Sequence, residues 1–272
     1  VTYDFAQMLH MNIAVLLKQV HDPNIPRASL RVGADQRTLT FLAGANAVLN
    51  GYDANALEEA LRIRARFAGT ITALSVGGEA TKDVLRRAIA MGADQAIHIA
   101  ACAGLEGDGE TVARLLCETL RTLDSVQLIL AGRSASDTDA GVVPLLVAAY
   151  LNIPAITPVR GLSVEEHSLI AERITETGIR RVKIGGRAMI GVSNEINKPR
   201  SPQLKGVAAS KRANIPTLTA AVLGVDVKSP GISLQRLFLS EQPQRTPEMI
   251  SAPSASEAGR ALAERLRQKN LI

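Results

Sequence analysis

Tryptophan is absent from the 272 residues, and tyrosine and phenylalanine together bring the aromatic content to only 3%. So small an inventory leaves no stacking platform for single-stranded nucleic acid. There are two cysteines, Cys102 and Cys117, in apolar or helical surroundings, and four scattered histidines, His10, His21, His98 and His167. Neither type shows metal-ligand spacing, so zinc and iron–sulfur chemistry are not expected, whereas a reduced, cytoplasmic compartment is. No apolar run approaches the roughly 20 residues of a membrane helix, and no membrane insertion is expected. Val1 to His10 lacks the basic region, apolar core and cleavage pattern of a secretory signal. Because a strand-like run follows Met11 directly, residues 1–10 are read as a dispensable extension or an upstream translation start, outside the fold. The catalytic and phosphate-loop signatures Gly-x-Ser-x-Gly, Walker A and Gly-x-Gly-x-x-Gly are also missing.

What is present is the composition of a globular protein, 46% hydrophobic and 21% charged. The net charge of +5 is concentrated late, in Arg180-Arg181, Lys198-Pro199-Arg200, Lys205 and Lys211-Arg212. Such charges are either solvated surface or a docking face for an acidic partner. Nucleic-acid binding through this patch is the least favoured reading.

Short apolar runs alternate with amphipathic segments. Asn12 to Leu17, Thr70 to Val76, Gln95 to Ala100 and Val126 to Ala131 read as strands. The intervening helices are one capped by Asp53 and ended by Gly69, with Glu58 and Glu59 in its first turns, then Glu79 to Met91, and Glu110 to Leu123. His98, inside an apolar strand, reads as a core histidine. Alternation of this kind forces a parallel sheet with helices on both faces: an α/β fold built on an open, mostly parallel, doubly wound sheet. A short hairpin is expected around Gly33. After a helix over Val142 to Leu151 and a strand over Ala155 to Val159, the segments Leu162 to Val164, Ser168 to Ile174, Gly178 to Ile184 and Arg187 to Val192 alternate polar and apolar residues. They are expected as antiparallel hairpins at the edge. From Asn194 regular structure is expected to thin, with a helical turn over Lys205 to Arg212. The domain is placed at 11–223, and residues 224–272, with a last helix over Ser256 to Gln268, are expected to form an arm that packs on another subunit.

The stretch Leu128 to Pro144 stands out. An apolar strand breaks at Gly132 into small and hydroxyl residues and then enters a helix at Val142, the place where anionic ligands dock in an open α/β sheet. Asp137 and Asp139 could form a carboxylate pair, but with no histidine or third acid nearby they are read as setting the loop or touching ribose hydroxyls. With no catalytic constellation in view, the chain is better suited to holding a cofactor than to transforming a substrate.

Five phrases occur in order: Lys18-Gln19-Val20 after the first strand, Asn50-Gly51-Tyr52-Asp53, Ala88 to Asp94, the loop from Ala131-Gly132-Arg133, and Asn197-Lys198-Pro199-Arg200. In this order and at these separations the chain resembles the beta subunit of electron transfer flavoproteins from Met11 to the end. The resemblance implies an electron carrier, not an enzyme, that pairs with an alpha subunit carrying FAD and receives electrons from flavin-dependent dehydrogenases. It also implies an adenine nucleotide in the chain itself, AMP or a second FAD. The implied site comprises Leu16, Asn50, Gly51, Tyr52, Asp53, Val76, and the loop Gly132, Arg133, Ser134, Ala135, Ser136, Asp137, Thr138, Asp139, Ala140, Gly141, Val142 and Val143. A recognition loop at about 194–212 is implied too, with Leu204 as the apolar anchor, Pro199 in its leading phrase, and Arg200, Lys205 and Lys211 steering encounter around it. The chain departs from the family before the phosphate-side helix: Asp139 to Pro144 is one residue short and lacks the usual Gln. The alternative is a stand-alone adenine-nucleotide-binding regulatory module.

Overall fold

The computed structural model describes residues 10–41, 47–101, 107–123, 125–165, 168–227, 232, 234–240 and 247–272. Expectations for residues 1–9, Cys102 and His167 lie outside them. The chain divides into two compact units, Val1–Leu237 and Phe238–Ile272.

The first unit opens with β1 (Asn12–Leu16), followed by β2 (Gln19–His21), β3 (Leu30–Val32), β4 (Leu39–Phe41) and β5 (Ala47–Leu49). The pairs β2–β5 and β3–β4 are small antiparallel ribbons, and the second is the hairpin expected around Gly33. Next come α1 (Gly51–Phe67), β6 (Ile71–Gly77), α2 (Lys82–Met91), β7 (Gln95–Ala100), α3 (Gly109–Thr122), β8 (Val126–Gly132) and α4 (Val142–Tyr150). Then β9 (Ala155–Glu165), β10 (Ser168–Thr175), β11 (Gly178–Ile184) and β12 (Ala188–Val192) lead to α5 (Leu204–Arg212) and β13 (Thr217–Thr219). The second unit contains α6 (Ala255–Gln268), whose Ser254 side chain caps the Glu257 N–H.

Nine strands form one sheet in the order β11-β10-β9-β12-β8-β1-β6-β7-β13. Every pairing from β9 to β13 is parallel, and β10 is antiparallel to both β9 and β11. The period of two along β1 divides the core. Ile13 and Val15 point to one face with Leu57, Leu61 and Leu85 of α1 and α2, while Ala14 and Leu16 point to the other with Leu115, Leu116 and Val147 of α3 and α4. The sheet is therefore doubly wound, as its sequence pattern requires.

Three local expectations are corrected. Arg187 to Val192 does not form an edge hairpin: all five residues of β12 are buried, and the strand runs parallel between β8 and β9. Ala155 to Val159 and Leu162 to Val164 belong to one long strand, β9, with an irregular register near its middle. Beyond residue 194 the chain still adds α5 and the outermost parallel strand β13. His98 is buried as expected. Its ring lies 3.2 Å from the Thr217 hydroxyl and 3.0 Å from the Gly77 carbonyl, tying β13 to the turn after β6.

Candidate functional site

The chain passes outward from β1 through β6 to β7, then returns to place β8 on the other side of β1. The strand order thus reverses between β1 and β8, and beyond the carboxyl ends of such strands an open sheet leaves a crevice. A cavity of about 440 Å³ lies here, within the range of small-molecule sites.

One buried acid holds the two strand ends together. Asp53 sits in the first turn of α1, 5% exposed. It does not cap the helix, which begins two residues earlier at Gly51 with Asn50 in the cap position, and its carboxylate is used elsewhere. The Lys18 N–H donates to Oδ2 at 2.7 Å and the Gly132 N–H to Oδ1 at 2.9 Å. Burial pushes this carboxyl up to about 7, although both backbone donors pull the other way. Gly132 is required by the closeness of this packing: a Cβ there would stand 2.5 Å from the Tyr52 Cβ and 2.6 Å from Asp53 Oδ1.

Asn50, 1% exposed, fixes the loop after β8. Its Nδ2 donates to the Ser134 carbonyl at 2.9 Å, and its Oδ1 accepts from the Ser136 N–H at 3.2 Å. The Lys18 ammonium reaches across to Asp137 at 2.7 Å. Within the loop the Ser134 hydroxyl donates to Asp139. The loop ends at Gly141, whose left-handed φ of 63° lets the chain turn into α4. No side chain caps the first N–H groups of α4, and Pro144 in its first turn has no N–H to satisfy.

The cavity gathers Leu16, Asn50, Asp53, Val76, Gly132, Ser134, Ala135, Asp137, Thr138, Ala140, Gly141, Val142 and Val143 of the residues expected from sequence. Gly51, Tyr52, Arg133, Ser136 and Asp139 are not in its lining. Tyr52 and Arg133 instead pair with each other: the guanidinium lies 4.9 Å from the ring centroid and donates to the hydroxyl at 3.1 Å. The lining also includes residues that the sequence reading missed, among them Lys18, His21, Thr81, Gly107, Gly109, Val112 and Leu116. Gly107-Asp108-Gly109 carries a legible signal, a turn entering a helix with Asp108 accepting from the Glu110 N–H. A Cβ on Gly109 would stand 2.9 Å from Val142 Cγ2, so this glycine allows α3 to approach the start of α4.

Apolar walls from Leu16, Val76, Val112, Leu116 and Val143, uncapped helical N–H groups and one lysine suit a molecule with a flat ring at one end and an anion at the other. Among the described residues no cluster of histidine, cysteine or carboxylate side chains could hold a metal ion.

Pro199, Arg200, Leu204 and Lys205 lie away from the cavity lining. Leu204 is 91% exposed at the start of α5. Arg200, expected among the steering charges, has a half-exposed side chain that is paired with a buried acid. Its Nε and Nη2 grip the Glu58 carboxylate at 2.7 and 3.0 Å, and its own N–H donates to Glu58 at 3.2 Å. Asn197 exchanges hydrogen bonds with Asn55 and donates to Glu59 at 3.0 Å. Burial would raise Glu58, but Arg200 reverses this and holds it below the usual carboxylate range; burial keeps Glu59 above it. The two acids read as first-turn dipole partners are thus anchors for a distant segment, Glu58 for a residue 142 positions away and Glu59 for one 138 positions away.

Fold and cavity together define a doubly wound α/β protein with a cavity of small-molecule size at its topological switch point. The model of the electron transfer flavoprotein domain matches residues 38–223. The chain is 35% identical over 227 residues to the electron transfer flavoprotein subunit beta of Mycobacterium leprae, covering 82% of this chain and 84% of that one. It is 33% identical over 267 residues to the subunit beta of Thermoanaerobacterium thermosaccharolyticum, covering 96% and 100%. It is 29% identical over 268 residues to the caffeyl-CoA reductase-Etf complex subunit CarD of Acetobacterium woodii, covering 96% and 100%. This chain belongs to the electron transfer flavoprotein family. Its place is among electron-carrying subunits, not enzymes.

Proposed function

We propose that this chain is the beta subunit of a heterodimeric electron transfer flavoprotein, working in the cytoplasm with an alpha subunit and an FAD shared with it. Flavin-dependent dehydrogenases supply the electrons, and a downstream acceptor removes them. The observation that carries the nucleotide part of this reading is the cavity at the β1/β8 switch point, where an uncapped helix start faces small residues and apolar strand ends. The residues fit an adenine nucleotide, AMP or a second FAD. Leu16, Val76 and Val143 would flank the ring system, the N–H groups leading into α4 would hold phosphate, and Lys18 would add a positive charge. When bound, flavin supplies the redox chemistry; the protein supplies binding, orientation and exclusion of water.

Leu204 is the anchor for dehydrogenases in this reading, and residues 224–272 form the arm that packs on the alpha subunit. Co-expression with an alpha subunit should give a yellow heterodimer, and acid extraction should release adenine nucleotide in addition to one FAD: AMP in a simple carrier, a second FAD in one that bifurcates electrons. A colourless monomer with empty extracts would refute the proposal. Leu204→Ala should slow reduction by a dehydrogenase while flavin content stays the same.

A further inference from the structure

Arg200 and Glu58 are far apart in sequence, and neither lines the nucleotide cavity. We propose that they form a clamp that sets the position of α5, and so of Leu204, and that Arg200 takes no direct part in attracting the partner. The inference rests on the reading of Leu204 as the docking anchor. Glu58 is 4% exposed, and three hydrogen bonds from Arg200, one of them from its backbone, meet its two oxygens. A guanidinium held in this two-pronged way has given up its freedom to swing toward an incoming protein. Four residues later Leu204 begins α5 with its side chain in solvent.

The rest of α5 is seated by separate contacts. Gly206 lies so close to α2 that a Cβ would stand 2.2 Å from the Ala90 carbonyl oxygen, and Arg86 donates to the Ser210 carbonyl at 2.8 Å. These fix the middle and end of the helix against α2. The clamp fixes the chain entering it against α1. An exposed anchor works only if its position is set before contact, since ordering it afterwards subtracts from binding. The charge that steers encounter is then left to exposed lysines such as Lys205.

The test uses the assembled heterodimer and a flavin-dependent dehydrogenase that reduces the wild type. Glu58→Gln, Arg200→Gln, the double variant and Lys205→Gln are compared across a salt series. Glu58→Gln and Arg200→Gln should each raise the KM for the heterodimer about tenfold with the maximal rate little changed. The double variant should be no worse than either single one. Both should leave the salt dependence of association as in the wild type and speed amide hydrogen exchange over residues 204–212. Arg200→Lys should restore part of the loss, whereas Lys205→Gln should flatten the salt dependence. A silent Glu58→Gln alongside an Arg200→Gln that flattens the salt dependence would overturn the clamp. So would loss of bound flavin in either variant, which would place the pair in cofactor retention. Failure of the underlying reading looks different: Leu204→Ala would then transfer electrons at the wild-type rate.

Discussion

Asp53 offers the sharpest test of how the strand ends are held. Its carboxyl is raised from 3.8 to about 7 by burial. Between those values the folded chain binds a proton that the unfolded chain has released, so this residue's contribution to stability falls as pH rises. Once the group is ionised in both states, the burden is on the order of 4 kcal/mol. Between pH 5 and pH 8.5 the change amounts to about 2.5 kcal/mol. Asn cannot ionise, so Asp53→Asn removes this slope. It also loses one of the two backbone hydrogen bonds, but that cost does not depend on pH and cancels in the comparison. Urea unfolding of wild type and variant, followed by far-UV circular dichroism at both pH values, should show the variant gaining about 2.5 kcal/mol relative to wild type at the higher pH. A difference constant to within about 0.5 kcal/mol would mean that Asp53 titrates in its ordinary range and that the two N–H donors outweigh burial.

Three other substitutions probe the site and its surroundings. Gly132→Ala should destabilise the chain by about 2 kcal/mol through the clash with Tyr52 and Asp53, measured by chemical denaturation, and should weaken nucleotide retention. Lys18→Gln breaks a partly exposed ion pair with Asp137; stability should change by less than about 1 kcal/mol, while calorimetric titration should show weaker AMP binding. Gly206→Ala should gain about 1 kcal/mol of helix propensity, yet the contact with the Ala90 carbonyl should turn this into a net loss, with faster hydrogen exchange confined to α5.

The candidate site was legible where the backbone makes it. Leu128 to Ala131, ending at Gly132 before a helix, announces a strand end and a helix start in local order alone, and the structure places both against the cavity. The residues missed come from elements whose nearness depends on the return of the chain: Gly109 counts because α3 is brought against the start of α4. The same holds for β12. Its five residues look like any short strand, and only the crossover from the β9–β11 hairpins inserts it between β8 and β9.

The amino-acid order by itself determined the elements and their faces, because helix and strand periods are properties of neighbouring residues: Ile13 and Val15 had to part from Ala14 and Leu16 whatever the topology. The roles of the charged groups were decided only by the tertiary structure. Asp53 reads as a helix cap until the ends of β1 and β8 bring two N–H groups to it. Glu58 reads as a helix-dipole partner and Arg200 as a steering charge until the fold closes 142 positions of chain and sets the buried acid against the guanidinium. A charge takes its meaning from what surrounds it, and for these residues the surroundings come from distant chain.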